Sequence, residues 1–272
     1  MQVVKHSSQI SESGMRNIAF VATMGALNEG HATLIRRAKE LSTNVVVSVF
    51  INPLQFSDPD DLEKYPQTPA NDRAIAERAG ASLLWLPDES EMYPGSLDQV
   101  RVGPVAQLFE GVHRGGHFEG ALTAVKRLLD LVQPRWALFG EKDFQQLFLV
   151  HQMVQDLGID VEIIPVPTVR EADGLALSSR NIQLSQADRQ SALVISKALR
   201  SAATQETLAL MQQELESTLS QEPRFIRHYA AIIDEETFAL ASDETVAKRA
   251  LIAGWVNGVR LIDNMPMKRL LP

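Results

Sequence analysis

Several short polar segments of this chain each follow an apolar run, where a parallel sheet places its ligand-binding residues. The first is MGALNEGH at residues 24–31, in which Gly25 and Gly30 permit tight backbone paths and His31 begins a predicted helix. A strand, a glycine-containing loop and a helix together form the geometry that aims backbone N–H groups at a phosphate. The loop is neither Walker A, which needs a lysine where His31 stands, nor GxGxxG. An ordinary turn with a capping or surface histidine therefore stays open as an alternative.

A second polar segment, GEKDFQQ at residues 140–146, follows an apolar run and also begins a helix. Lys142 can neutralise a phosphate there, and Gln146 can make directional hydrogen bonds. The alternative is an ordinary helix start, in which Glu141 and Asp143 complement the helix dipole.

Three further segments carry groups suited to anions or hydroxyls. The sequence SSR at 178–180 places two hydroxyls beside a guanidinium, which suits a triphosphate, although Ser-Ser is also a common helix cap. Asn52 and Gln55 follow the most hydrophobic run, and their neutral amides suit either substrate hydroxyls or a hydrogen-bonded turn. The segment HRGGHF at 113–118 fits an anion-binding loop and a solvated turn equally well.

Composition excludes several classes of protein. The 272-residue chain contains no cysteine, which excludes a disulfide framework, a thiolate metal site and a catalytic thiol. Its 26 basic and 34 acidic side chains give a formal net charge of −8, whereas duplex nucleic-acid binders usually show a basic face. The histidine spacing favours no zinc site, and no GxSxG sequence supports a hydrolase. Because no apolar run approaches roughly 18 residues and the start of the sequence lacks the apolar core of a signal peptide, we expect a soluble, cytoplasmic protein without a membrane partner. The acidic net charge gives the expectation of no nucleic-acid partner.

Strand and helix patterns alternate as far as Pro165. Strands are predicted at 18–23, 45–51, 82–86, 136–139 and 161–165, and helices after His31 and at 70–80, 121–132 and 145–157. This alternation predicts an α/β fold with a Rossmann-like parallel sheet in an N-terminal domain, 1–167. Helical patterns at 186–203 and 206–219 then precede strand-like runs near 228–233 and 249–256. They predict a smaller α+β C-terminal domain, 168–272.

Six motifs, spread from residue 20 to residue 264, carry a family resemblance. They are TMGAL with Gly30-His31, FINPLQF (50–56), GHF (116–118), LVQPRWALFGEKDFQQL (131–147), VREADGLALSSRN (169–181) and RLIDN (260–264). In these residues and in their order the chain resembles the pantothenate synthetase (pantoate–β-alanine ligase) family of the HxGH nucleotidylyltransferase-like superfamily. One such motif is weak evidence, but six in family order across nearly the whole chain are very specific.

The resemblance implies an ATP-dependent ligase that condenses (R)-pantoate with β-alanine to pantothenate, releasing AMP and pyrophosphate. Pantoate would first attack the α-phosphorus of ATP to form a pantoyl adenylate, and the β-alanine amine would then displace AMP. It also implies ATP as a substrate, Mg²⁺ carried with the triphosphate and a homodimer. The first domain would bind nucleotide and pantoate, and the second would act as a lid. Neither step needs a covalent nucleophile, which agrees with the absence of cysteine; positioning and charge stabilisation suffice.

The resemblance further implies roles for single residues. His31 looks like the family's catalytic histidine, and Lys142 like a catalytic residue facing phosphate. Gln55 and Gln146 look like pantoate contacts, with Gln55 also near β-alanine. The implied ATP-binding residues are Met24, Gly25, Ala26, Leu27, Asn28, Glu29, Gly30, His31, Gly140, Glu141, Lys142, Asp143, Val169, Leu177, Ser178, Ser179 and Arg180. Val169 and Leu177–Arg180 resemble the KMSKS loop of related adenylate-forming enzymes. No protein ligand for Mg²⁺ can be named.

The chain departs from the family pattern at four positions. Ala22 and Asn28 replace the proline and the first histidine of PTMGALHxGH, Gln67 the arginine of YPRT, and Gly115 the proline of RPGHF. Asn28 can donate a hydrogen bond to a phosphate oxygen but cannot carry charge. Losing one phosphate donor would cost about 1–3 kcal/mol, or roughly ten- to hundred-fold in rate.

Two alternatives to an active ligase of this family stay open. One is a catalytically impaired, nucleotide-binding relative in which Asn28 has disabled the chemistry. The other is an adenylate-forming ligase for a different hydroxy acid, against which the presence of both Gln55 and Gln146 argues.

Overall fold

A computed structural model describes residues 1–56, 59–95 and 98–268. The chain divides into two compact units. The first comprises Met1–Glu141 and Gln145–Pro167, and the second comprises Lys142–Phe144 and Thr168–Pro272. The roles predicted for the two parts of the chain, nucleotide and pantoate binding by 1–167 and a lid formed by 168–272, stay predictions.

A parallel sheet organises the first unit and confirms the predicted α/β class. Among the described residues it has six strands: β1 (Gln2–Val4), β2 (Ala19–Thr23), β3 (Val45–Val49), β4 (Leu83–Trp85), β5 (Trp136–Gly140) and β6 (Glu162–Val166). Their order is β1-β4-β3-β2-β5-β6, and every neighbouring pair is parallel. The chain leaves β2 toward β3 and later returns to β5 on the other side of β2. This makes β2 the topological switch point, where open α/β sheets bind ligands beyond the strand carboxyl ends.

The helices between these strands are α1 (Ser7–Glu12), α2 (Glu29–Leu41), α3 (Pro59–Glu63), α4 (Pro69–Ala79), α5 (Glu89–Met92), α6 (Glu110–His113), α7 (His117–Val132) and α8 (Phe144–Asp156). Four of them, α2, α4, α7 and α8, were predicted, whereas the short helices α1, α3, α5 and α6 were not. Short 3₁₀ turns cover Pro53–Gln55, Pro104–Gln107 and Glu141–Asp143. None of the helices in these ranges or in the rest of the described chain is long and apolar enough to cross a membrane.

Several predicted boundaries differ from the structure, and two of them were wrong for identifiable local reasons. The strand predicted at 45–51 ends at Val49, because Asn52 and Pro53 begin a 3₁₀ turn that the apolar run hides. The helix predicted from Ala121 begins at His117, because Gly120 weakens the helical pattern in its first turn.

The second unit contains the sheet β7 (Phe225–Asp234), β8 (Lys248–Val256) and β9 (Val259–Pro266), which is antiparallel in that order. It also contains α9 (Gln186–Ala203), α10 (Leu208–Ser220) and the 3₁₀ turn Ser179–Gln183. The bounds of α9 match the prediction residue for residue. β9, which carries the RLIDN motif, was not predicted. The signal was present, since Asn257 and Gly258 both have positive φ in the turn before it, and Asn-Gly is a strong hairpin signal.

Candidate active site

The carboxyl ends of β2 and β3 bring together two separately predicted segments. The side-chain nitrogen Nε2 of Gln55 donates to the Met24 sulfur Sδ across 2.7 Å. Met24 begins the loop after β2, and Gln55 ends the 3₁₀ turn that follows β3. Since β2 and β3 are hydrogen-bonded neighbours, both segments leave the sheet at one edge. The predicted nucleotide loop and the predicted pantoate contact therefore touch.

Asn52 orients the other end of the Gln55 carboxamide. The Asn52 Nδ2 donates to Gln55 Oε1 at 3.1 Å and to the Gly120 carbonyl at 3.0 Å. Its Oδ1 accepts from the Leu54 N–H and from the Tyr93 hydroxyl, at 3.2 and 2.8 Å. Burial, together with the charge of a nearby glutamate, raises the pKa of Tyr93, so that hydroxyl remains a donor. After these bonds with described residues, the Gln55 carboxamide keeps one N–H and one oxygen lone pair for a ligand.

Helix α7 holds the same turn by close approach. A Cβ added to Gly120 would lie 2.0 Å from the Leu54 carbonyl oxygen and 2.8 Å from the Gln55 nitrogen. His117, buried at the start of α7, places its Nδ1 2.8 Å from the Gln55 carbonyl oxygen. The segment 113–118 was interpreted as either an anion-binding loop or a solvated turn. Neither interpretation fits His117, because its side chain is buried and contacts the Gln55 backbone.

A buried carboxylate in α4 fixes the backbone of the loop 24–28 by hydrogen bonds. Asp72, only 3% exposed, accepts the Ala26 N–H at 3.2 Å and the Leu27 N–H at 2.8 Å. These two bonds hold Ala26 at φ +49° and Gly25 at φ +87°. No sequence pattern pointed to Asp72, because it is 45 residues away from Leu27 along the chain.

Asn28 and His31 form a reciprocal cap at the start of α2. The Asn28 Oδ1 accepts the Gly30 and His31 N–H groups at 3.0 and 3.4 Å, and the Asn28 N–H donates to His31 Nδ1 at 3.2 Å. Asparagine is among the best N-cap residues. In the neutral ring, accepting a bond at Nδ1 places the His31 proton on Nε2. Of the alternatives left open for His31, the structure supports a capping role, with Asn28 as the N-cap and His31 as its N3 partner. The cap sets the direction in which His31 can donate.

This cap changes how the loop can meet an anion. The N–H groups of residues 25, 26, 27, 28, 30 and 31 all donate to acceptors inside the protein. The prediction that backbone N–H groups of this loop are aimed at a phosphate is therefore wrong for these six. Polar contacts between this loop and a phosphate would come instead from side chains, such as the Asn28 NH₂ group and the His31 ring.

Two adjacent glutamines at the start of α8 behave differently. Gln145 is buried and uses both ends of its carboxamide internally, on the Glu110 N–H and on the carbonyls of Val105 and Leu108. Gln146 is half-buried and makes no side-chain hydrogen bond to any described residue. The Gln146 carboxamide can therefore hydrogen-bond a substrate, whereas the Gln145 carboxamide is already used inside the protein.

Of the remaining predicted ATP-binding residues, Gly140 and Glu141 belong to the first unit, and Lys142, Asp143, Val169 and Leu177–Arg180 belong to the second. Lys142 is half-buried, and its carbonyl accepts from Asn264 Nδ2 at 2.9 Å. Residues 169–177 form a hairpin in which the Leu177 N–H donates to the Val169 carbonyl at 2.9 Å. Ser178 caps the following 3₁₀ turn by accepting the Arg180 N–H, so the structural interpretation holds for Ser178. The Arg180 side chain is exposed and forms no ion pair with the described residues.

Comparison with known proteins places this geometry in a family. The sequence model described as pantoate-beta-alanine ligase matches residues 1–266. The chain belongs to the pantoate–β-alanine ligase family. It is 47% identical over 254 residues to the pantothenate synthetase of Thermus thermophilus, covering 91% of this chain and 92% of that one.

Two solved structures from the pantoate–β-alanine ligase family match nearly the whole chain. The crystal structure of pantothenate synthetase from Thermus thermophilus is 42% identical, with a TM-score of 0.93 and complete coverage of both chains. The Francisella tularensis pantoate-beta-alanine ligase, crystallised with beta-gamma ATP and beta-alanine, is 34% identical, with a TM-score of 0.80 and 97% coverage of both chains. The resemblance inferred from the six motifs is confirmed.

The four departures from the pantoate–β-alanine ligase pattern lie in different settings. Asn28 has the capping role described above, and Ala22 pairs with Ser48 inside the sheet. Gln67 is exposed and makes no side-chain hydrogen bond within the described ranges. Gly115 is exposed, and a Cβ there would meet nothing within 4 Å.

The described residues contain no cluster of three or more histidine or carboxylate side chains able to hold a metal ion. Asp72, which is bound to the nucleotide loop, already accepts two backbone N–H groups and the Thr68 hydroxyl. These residues do not form a protein cage for Mg²⁺. That ion often keeps several waters and is held mainly by substrate phosphates.

Proposed function

We propose that this protein is an ATP-dependent ligase that condenses (R)-pantoate with β-alanine, giving pantothenate, AMP and pyrophosphate. The observation that carries the proposal is the contact between Met24 and Gln55, at the switch point of a chain that belongs to the pantoate–β-alanine ligase family. A nucleotide loop and an amide suited to pantoate hydroxyls meet there. The Francisella tularensis relative with beta-gamma ATP and beta-alanine supports the choice of ATP and β-alanine.

In the first step, a pantoate carboxylate oxygen attacks the α-phosphorus of ATP. The new oxygen–phosphorus bond forms while the bond to the leaving pyrophosphate breaks. His31, through Nε2–H, and Lys142, through its ammonium, stabilise negative charge on the phosphates as pyrophosphate departs. Gln55 and Gln146 orient pantoate through its hydroxyls, since a site built to pair hydroxyls rejects analogues that lack them.

In the second step, the β-alanine amine attacks the acyl carbon of pantoyl adenylate. The carbon–nitrogen bond forms, the carbon–oxygen bond to AMP breaks, and the amine loses a proton. Positioning is sufficient for this step, because the adenylate is already activated and no covalent enzyme intermediate forms. The Asn52 and Met24 contacts keep Gln55 in place for both substrates.

Several further features belong to the same proposal. ATP would contact the loop 24–31, residues 140–143, Val169 and residues 177–180, with Ser178, Ser179 and Arg180 on the triphosphate side. Mg²⁺ would arrive with the triphosphate rather than in a protein cage. The enzyme would act as a cytoplasmic homodimer, with residues 168–272 as its lid domain.

The impaired-relative alternative is not favoured. Asn28 forms a good helix cap and keeps the tautomer of His31 that donates from Nε2. The substitution therefore removes one charge without removing the catalytic histidine or its orientation.

Formation of AMP and pantothenate from ATP, (R)-pantoate and β-alanine with Mg²⁺ tests the proposal. Each product should require all three substrates, and hydroxy acids that lack either pantoate hydroxyl should react at least about tenfold more slowly. AMP formation with another hydroxy acid but not with pantoate would replace the substrate assignment. ATP binding with no reaction under any combination would favour the impaired relative.

A further inference from the structure

The RLIDN motif on β9 contains a buried asparagine that the reaction described above does not use. Asn264 is 4% exposed and lies opposite Leu251 of β8. Its Nδ2 donates to the Lys142 carbonyl at 2.9 Å, and its Oδ1 accepts from Arg249 at 2.6 Å. A residue of the C-terminal sheet thus holds the backbone of the lysine assigned to phosphate.

Arg249 fixes the direction of the Asn264 carboxamide. A guanidinium can only donate, so the side-chain oxygen of Asn264 must face it and the NH₂ group must face Lys142. Arg249 is itself held by Glu235 Oε1 at 2.7 Å and lies 4.0 Å from the ring centroid of Phe144. Phe144 is two residues after Lys142, and its ring stacks on Phe238 at 6.1 Å. The short segment Lys142–Phe144 is therefore held at both ends, by the hydrogen bond to the Lys142 carbonyl and by the packing of the Phe144 ring.

The same strand position also holds the segment that begins at Val169. The Asn264 carbonyl accepts from Arg170 at 3.3 Å, and Arg170 forms two bonds to the neighbouring Asp263, at 2.7 and 3.0 Å. Burial raises the pKa of Asp263, while the charges of Arg170 and Lys142 oppose that shift.

We propose that Asn264 is a positioning residue whose carboxamide sets the place of Lys142, while its main-chain carbonyl contributes only the contact with Arg170 that any residue at this position would make. The proposal rests on the proposed function, in which Lys142 and residues 177–180 bind the ATP phosphates. A lysine reaches its ligand on a flexible four-carbon stem, so its effectiveness depends on where its backbone is fixed. Asn264 supplies that constraint through its hydrogen bond to the Lys142 carbonyl.

Asn264→Asp separates the two hydrogen bonds of this carboxamide. The carboxylate has the same shape and keeps an acceptor for Arg249, but it cannot donate to the Lys142 carbonyl. We expect ATP affinity and pantoate-dependent pyrophosphate release each to fall by about tenfold, because one hydrogen bond that orders the lysine is lost. In a Lys142→Ala background the same change should have no further effect, since the residue on which it acts is gone.

Asn257→Asp is the matched control, since Asn257 donates to Asp188 in the same sheet unit and an aspartate there would repel that carboxylate. It should lower the melting temperature and leave ATP affinity and the reaction rate unchanged. Asn264→Ser, which shortens the side chain, provides a second variant if Asn264→Asp does not fold. ATP affinity and reaction rate are both measured for wild type, Asn264→Asp, Lys142→Ala and the double variant, which together form a double-mutant cycle.

Effects of Asn264→Asp and Lys142→Ala on ATP affinity that add independently would overturn the proposal, as would wild-type ATP affinity in Asn264→Asp. Wild-type protein that binds ATP but releases no pyrophosphate with pantoate would refute the proposed function alone, and the affinity cycle would still decide the role of Asn264. Absence of ATP binding by the wild type would refute both.

Discussion

The side-chain nitrogen of Gln55 lies 2.7 Å from the sulfur of Met24, which joins the turn after β3 to the loop after β2. Met24→Leu keeps the volume and removes the acceptor. We expect the KM for pantoate to rise about 3–10-fold, because one modest hydrogen bond that orients Gln55 is lost. The free energy of unfolding should change by less than about 1.5 kcal/mol, because leucine and methionine have similar volumes.

The control for Met24→Leu is Met153→Leu, a buried methionine in α8 on which no predicted contact depends. Steady-state kinetics with pantoate as the varied substrate gives the answer. An unchanged KM in Met24→Leu would show that the sulfur does not orient Gln55.

Gly120 is the position at which a single methyl group should disturb the substrate site. A Cβ there would lie 2.0 Å from the Leu54 carbonyl oxygen, so the turn that carries Gln55 must move. For Gly120→Ala we expect a loss of about 1–3 kcal/mol in the free energy of unfolding, with a pantoate KM at least about tenfold higher. Gly115→Ala, where the new methyl meets open space, should resemble wild type in urea unfolding and in kinetics. A normal pantoate KM in Gly120→Ala would contradict the positioning role of α7.

Asn28→His restores the family residue and should have opposite effects on stability and on activity. Histidine is a poorer N-cap than asparagine, so the free energy of unfolding should fall by about 1 kcal/mol. A second histidine near the phosphates should raise the rate of pyrophosphate release by up to roughly ten- to hundred-fold. Urea unfolding and initial rates check the two effects separately. A variant that is less stable and no faster would show that position 28 acts only as a helix cap.

Most of the sheet and its ligand-binding edge could be predicted from the sequence. These elements have local sequence signals that the folded structure matches: the apolar run at Val45–Val49, the glycine that ends α4 and the helical pattern of α9. The candidate residues Met24, Gln55 and His31 were found because each follows a strand.

The contacts that hold these residues could not be predicted. Asp72, Tyr93 and Gly120 act on the site from 41 to 68 residues away along the chain. The direction of a carboxamide or a carboxylate depends on which backbone groups packing brings near it, and no local pattern encodes that. The bonds between Asn28 and His31 are a different case, because they span only three residues and an asparagine N-cap is a local sequence signal.

The pH dependence of stability should reveal the buried Asp188 at the start of α9. Hydrogen bonds from Ser185 and Asn257, with the charge of Arg224, hold the pKa of Asp188 below its ordinary 3.8. Since the folded protein binds this proton less readily than the unfolded chain, the stabilisation is present above about pH 3.8. It is lost as the pH falls through the lower folded value.

Asp188→Asn should therefore be less stable than wild type near neutral pH, and the difference should shrink as the pH falls from about 6 to about 3. Urea unfolding followed by circular dichroism at each pH measures it. Asp156→Asn, an exposed substitution at the end of α8, is the control for the loss of one carboxylate. A difference for Asp188→Asn that is constant with pH would contradict the assigned partners.

The most direct test of the proposed chemistry is pyrophosphate release during a single turnover with ATP, Mg²⁺ and (R)-pantoate but no β-alanine. We expect a burst close to one pyrophosphate per active site in wild type, strict dependence on pantoate, and loss of the burst in His31→Ala. Release without pantoate, or an undiminished burst in His31→Ala, would contradict the adenylation mechanism and the role given to His31.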